Sequence, residues 1–120
     1  MLFRSAYNLA SDAARNGGQL QKAINYGNKG FELSERGKAL NLQTQAAVYL
    51  VLAYRAVGQY PKAREWTDKG LEVVKKLPQS PFRELMEANL YRMLGLDFLR
   101  QREPQKAVEY ISYSDRKSVV

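Results

Sequence analysis

The chain has 120 residues, 45% of them hydrophobic, with a formal net charge of +7 and a pI near 9.7; this is enough for one modest domain with a packed core. It contains neither Cys nor His, which excludes thiol and imidazole catalysis, disulfide stapling and ordinary zinc sites. No apolar run approaches the roughly 20 residues that a bilayer crossing requires, so no membrane-spanning segment is expected.

Ala6 to Arg15 reads as the first helix, with Tyr7, Ala10 and Ala14 forming its apolar face. Asn16-Gly17-Gly18 stops it, because glycine readily takes the positive φ that ends a helix. Gln19 to about Arg36 resumes helical spacing through Leu20, Ala23, Ile24, Phe31 and Leu33. Within it, Gly27 and Gly30 each cost roughly 1 kcal/mol relative to alanine, so they mark either close-packing points or weak spots. Gly37 breaks the chain again, and a third helix runs from Lys38 to about Val57. Its stretch from Ala46 to Tyr54 is apolar nearly all round, the pattern of a helix enclosed by neighbours. Gly58-Gln59-Tyr60 is the next turn, Pro61 suits a first helical turn, and the fourth helix extends to about Leu77. Ser80 is placed to cap a fifth helix, from Pro81 to about Arg100, that carries Phe82, Leu85, Met86, Leu90, Tyr91, Leu94, Phe98 and Leu99. Pro104 begins a sixth helix reaching about Tyr113. No stretch shows period-two alternation, so no sheet is expected.

Both ends look foreign. Met1-Leu2-Phe3-Arg4-Ser5 and Asp115-Arg116-Lys117-Ser118-Val119-Val120 resemble translated sequencing adapter. The expected native stretch is therefore about Ala6 to Ser114, a fragment of a longer protein, with residues 1–5 and 115–120 set aside from fold reasoning.

The stretch from Gly58 to Leu71 has weaker copies on both sides. Gly18-Gln19-Leu20-Gln21-Lys22-Ala23 precedes Asn28-Lys29-Gly30-Phe31-Glu32, against Asp68-Lys69-Gly70-Leu71-Glu72, and Pro104-Gln105-Lys106-Ala107 repeats the turn downstream. The alanines at 23, 63 and 107 lie 40 and 44 residues apart. Repetition on that scale signals a stacked array in which no single unit buries its own apolar face.

Six helices in antiparallel pairs, each with a small residue shortly after the turn, resemble the tetratricopeptide repeat family. The best match is Tyr91-Arg92-Met93-Leu94-Gly95-Leu96-Asp97-Phe98 followed by Ala107. The central unit keeps Leu50, Tyr54, Gly58, Tyr60 and Ala63, with Ala47 in the tryptophan place. The first unit offers Tyr7, Ala10, Ser11, Ala14, Gly18 and Ala23. The spacings exceed the family's usual 34, and Gly27, Thr67 and Ile111 stand where its second-helix Phe would be; another helical-hairpin solenoid is the alternative. The resemblance implies an all-α fold, a right-handed α-α superhelix of about three repeats over residues 6–114, with units at about 6–36, 38–77 and 81–113.

In that family the first helix of each pair lines a concave groove for an extended peptide or a partner's helix. The resemblance places Asn8, Asp12 and Arg15 on the groove in unit one, Gln45, Val48, Tyr49, Leu52 and Arg55 in unit two, and Asn89, Arg92, Leu96 and Arg100 in unit three. Arg15, Arg55, Arg92 and Arg100 would present guanidinium forks to an acidic partner. The competing reading has these arginines bridging Asp12, Asp97 and neighbouring carboxylates. Val48 and Leu52 stand where the chaperone-tail-binding members need polar clamp residues, so that activity is not carried over.

No enzyme is expected. Asp97, Glu84 and Glu87 read as ordinary surface carboxylates without a nucleophile beside them. There is no phosphate loop or metal constellation, so no cofactor is expected. Trp66 reads as an aromatic packed between repeats rather than a partner anchor. The leading function is a protein-binding scaffold; the alternative is a sensor or regulatory region of a bacterial signalling protein, with a cytoplasmic location expected. RNA binding is disfavoured, since the charge is spread along polar faces and no regular pair of base-reading side chains recurs. Val108, Tyr110 and Ile111 would lack a following unit to cover them, so self-association or fraying is expected at the C-terminal end.

Overall fold

Four of the five interhelical connections close in the same way. The residues Gly18, Lys38, Gly58 and Arg102 adopt φ of 79°, 54°, 81° and 61°. The next residue's N–H then reaches back five positions, from Gln19 to the Ala14 carbonyl (2.8 Å), Ala39 to Ser34 (2.9 Å), Gln59 to Tyr54 (2.9 Å) and Glu103 to Phe98 (2.8 Å). This is the Schellman closure, which satisfies carbonyls that a helix end would otherwise orphan. Glycine takes the left-handed conformation freely, whereas Lys38 and Arg102 hold it at about 1 kcal/mol each.

These turns separate six helices in a computed structural model that describes residues 2–118. They are α1 (Leu2–Asn16), α2 (Leu20–Arg36), α3 (Leu40–Ala56), α4 (Tyr60–Val74), α5 (Pro81–Arg100) and α6 (Pro104–Ser118). There is no strand among the described residues. The fifth connection differs. The chain tightens after Val74, with Lys76 and Leu77 N–H groups bonding three residues back to Val73 and Val74, so α4 stops short of the expected Leu77. Ser80 then caps α5, its hydroxyl oxygen accepting from the Arg83 N–H at 3.1 Å.

The outer helices exceed their expected lengths. Nothing in 111–118 is Gly or Pro, and Lys117 anchors α6 to α5 through Glu84 (3.3 Å) and Glu87 (3.7 Å), so the helix continues past Tyr113. Met1, Val119 and Val120 of the two foreign-looking ends lie outside the described residues.

Each helix packs on the next in sequence, and α3 also packs on α1 and α5. Among the described residues α1 reaches neither α5 nor α6. Thus α3 is covered by α1, α2, α4 and α5, which explains why Ala46, Ala47, Leu50, Val51 and Ala53 are all fully buried. The shortest molecular dimension is 21 Å, the depth of two helix layers.

Close approach of the helices depends on residues without side-chain bulk. A Cβ at Gly27 would meet Leu50 of α3 at 2.8 Å, one at Gly70 would meet Leu90 of α5 at 3.0 Å, and one at Gly95 would meet Ile111 of α6 at 2.6 Å. At Gly30 it would run into the Asn8 side chain. These glycines are packing points rather than weak spots. Ser11 and Ser114 play a related part, their buried hydroxyls donating across helix pairs to the carbonyls of Ala23 (2.7 Å) and Ala88 (2.6 Å).

Aromatic contacts complete the packing. Trp66 of α4 meets Phe31 of α2 edge-on at 4.8 Å. Tyr110 stacks on Tyr91 (6.0 Å) and Phe98 (5.4 Å), and Ile111 lies against Gly95. Of the three residues expected to stand uncovered on α6, only Val108 is exposed, at 63%.

Two substitutions test this account by chemical denaturation. Gly30→Ala should lower stability by about 1–3 kcal/mol, the usual range for overpacking. Lys38→Gly should raise it by about 1 kcal/mol by relieving the left-handed strain; a loss of stability there would contradict the turn geometry.

Candidate polypeptide-binding face

The row α1, α3, α5 carries the residues singled out from the sequence, and the structure sorts them into four groups. Asn8 is the first correction. Rather than lining an open groove, it is fully buried, with Nδ2 donating to the Leu42 carbonyl (3.0 Å) and to Gln45 Oε1 (3.1 Å). It joins α1 to the start of α3. The resemblance put it on the same face as Asp12, and that face is split between the surface and the α1–α3 seam.

Asp12 and Arg15 pair with each other at 2.7 Å, both partly exposed. Their charges reach Tyr49 on α3. Burial pushes the Tyr49 phenol pKa up, Asp12 adds to the rise, and Arg15 and a hydrogen bond with Gln45 partly offset it. The phenol therefore stays neutral well beyond physiological pH and serves as a hydrogen-bonding group on an apolar ring.

The third group surrounds a pocket of about 210 Å³ between α3 and α5. Gln45, Val48, Tyr49 and Leu52 form one wall, and Asn89 and Arg92 stand on the other. Met86 and Met93 complete it and were missed from the sequence. They sit three residues before and four after Asn89, so helical spacing from that position marks them. The exposed Arg92 donates to Asn89 Oδ1 at 2.9 Å and has no carboxylate partner among the described residues. The pocket is smaller than the roughly 300–1,000 Å³ typical of cofactor and drug-sized sites, and its size suits a single apolar side chain. Flexible thioethers on two sides let its shape adjust.

The fourth group lies outside that pocket. Arg55 is bonded to Asp97 at 2.6 Å, both largely buried, which ties α3 to α5 and takes this guanidinium out of the set free to meet a partner. Arg100 lies over the Tyr60 ring at 3.3 Å, and Leu96 is half-buried. Two of the four arginines thus bridge carboxylates of the chain itself. Asp97 and Glu87 are likewise not surface carboxylates. Both are buried, Glu87 beside Arg83 (3.3 Å) and Lys117 (3.7 Å).

Among the described residues no three acidic side chains are grouped to hold a metal ion, and no helix is long and apolar enough to cross a membrane. No known family, curated protein or solved structure matches the chain significantly.

The Arg55–Asp97 pair yields a double-mutant test. Arg55→Met strands a buried carboxylate and should cost about 3–5 kcal/mol, whereas Arg55→Met with Asp97→Leu should recover most of that loss. Equal destabilisation by the single and double variants, measured by urea unfolding, would show that the pair is not a coupled buried unit.

Proposed function

We propose that the chain is a helical-hairpin array of the tetratricopeptide kind whose α1, α3 and α5 form an open trough for an extended segment of a partner polypeptide. The observation that carries this reading is the pocket between α3 and α5. It is lined by apolar Val48, Leu52, Met86 and Met93 and by polar Gln45, Asn89 and Arg92, of which Arg92 is exposed. That combination accepts one apolar side chain while offering hydrogen bonds to the backbone around it. The contact pattern supports the array, since the odd-numbered helices touch in a row and, among the described residues, α1 does not close back onto α5 or α6.

The partner's chemistry follows from the charges left available. With Arg15 on Asp12 and Arg55 on Asp97, Arg92 is the guanidinium at the pocket rim without a carboxylate partner among the described residues. The segment that fits carries a Leu- or Met-sized residue with an acidic residue close to it. A binding role of this kind requires no catalytic group.

A random peptide library panned against the full chain should enrich that pairing of an apolar and an acidic residue. Arg92 is exposed, so Arg92→Glu should leave the melting temperature unchanged while weakening the enriched peptides about tenfold, as expected for loss and reversal of a charge-assisted contact. Enrichment without any acidic preference, or unchanged affinity in Arg92→Glu, would contradict the assignment.

A further inference from the structure

A second pocket, of about 330 Å³, lies between the first turn of α4 and the last turn of α5, lined by Tyr60, Pro61, Arg64, Asp97, Arg100 and Gln101. We propose that it binds a ligand carrying a carboxylate and, one carbon away, an N–H donor: the α-amino carboxylate unit of a free amino acid or of a peptide's C-terminal residue.

The positive side of the site comes from three sources. Arg100 is exposed and rests on the Tyr60 ring, with no carboxylate partner among the described residues. Arg64 lies over Phe98 at 5.2 Å, and its ion pair, Nε to Asp68 at 3.3 Å, is exposed and therefore weak. The start of α4 has no capping side chain and no acidic residue in its first turn, which leaves the positive end of that helix unscreened. A guanidinium held over an aromatic ring by cation–π attraction keeps N–H groups available for an anion.

Asp97 decides what kind of anion. It is 4% exposed, Arg55 holds its Oδ1 at 2.6 Å, and its Oδ2 is buried without a hydrogen-bond partner. An unpaired buried carboxylate oxygen is costly and calls for a donor. A phosphate or sulfate would bring more negative charge beside it. An α-amino carboxylate brings the missing N–H together with the anion that Arg64 and Arg100 accept. Because Oδ2 is covered, reaching it requires a lining side chain to move, and the exposed Arg100, held by a ring stack at the surface, is the lining residue most free to do so. Its guanidinium leaves Tyr60 for the ligand's carboxylate as the ligand's N–H reaches Asp97.

The test is an NMR titration of the full chain, reading the Tyr60 ring protons and the Arg100 side chain. L-alanine and N-acetyl-L-alanine stand for the free amino acid and the peptide end. Propionate lacks the donor, L-alaninamide lacks the carboxylate, and sulfate is a plain anion. Saturable shifts are expected with L-alanine or its N-acetyl form, the stronger of the two identifying the source. Propionate, L-alaninamide and sulfate should bind at least about tenfold more weakly, the usual consequence of losing one charge-assisted hydrogen bond. Arg100→Gln, and separately Arg64→Gln, should lower affinity by a similar factor with unchanged melting temperature. Equal affinity for propionate or sulfate, no saturable response to either alanine ligand, or full affinity in both arginine variants would overturn the proposal.

Discussion

Helices can share a face only if their backbones come close, and in this chain closeness is set where a side chain is missing. Gly27 admits Leu50 and Gly95 admits Ile111 at distances that leave no room for a methyl group, and Gly70 admits Leu90 where a methyl group would fit only if Leu90 shifted. Every one of these glycines weakens its own helix by about 1 kcal/mol relative to alanine. The offset comes from the large side chain that enters, since Leu50 and Leu90 are fully buried and make dense dispersion contacts there. Because the approach recurs along the chain, α3 ends up enclosed and α1, α3 and α5 fall into a row. The candidate binding face is a by-product of that row.

Polar groups inside the packing fix its register. Ser34, Thr44 and Thr67 return their hydroxyls to carbonyls four residues back in the same helix. Ser11, Asn8 and Ser114 instead reach across to a neighbouring helix. The second kind specifies which turn faces which, because sliding one helix against the other would leave buried donors unpaired. The Arg55–Asp97 pair does the same between α3 and α5. Its second consequence is chemical, for it leaves one Asp97 oxygen unsatisfied beside two arginines that are not part of the pair.

The helices, their order and the enclosed third helix were legible because apolar spacing and glycine turns carry them. Lys38 and Arg102 were not readable as left-handed turn residues, since only the backbone around them demands that conformation. The extension of α6 past Tyr113 was not readable, since the contacts of Lys117 with two glutamates of α5 exist only once the helices are packed. At the site, the family resemblance singled out six residues that line one pocket, Gln45, Val48, Tyr49, Leu52, Asn89 and Arg92. It could not tell that Asn8 points into a seam or that Arg55 is already engaged, because both depend on how deeply neighbouring helices approach. The pocket at the start of α4 left no mark in the sequence pattern at all, being built where the end of α5 meets the first turn of α4.

The role proposed for the face shared by α1, α3 and α5 is to hold a polypeptide segment. The most direct measurement is an amide chemical-shift map of the full chain with a peptide selected against it. The account predicts that the largest changes fall in Gln45–Leu52 of α3 and Met86–Met93 of α5, with the outward faces of α2 and α4 unmoved. Changes concentrated on those outward faces, around Trp66 and Lys69, would contradict it.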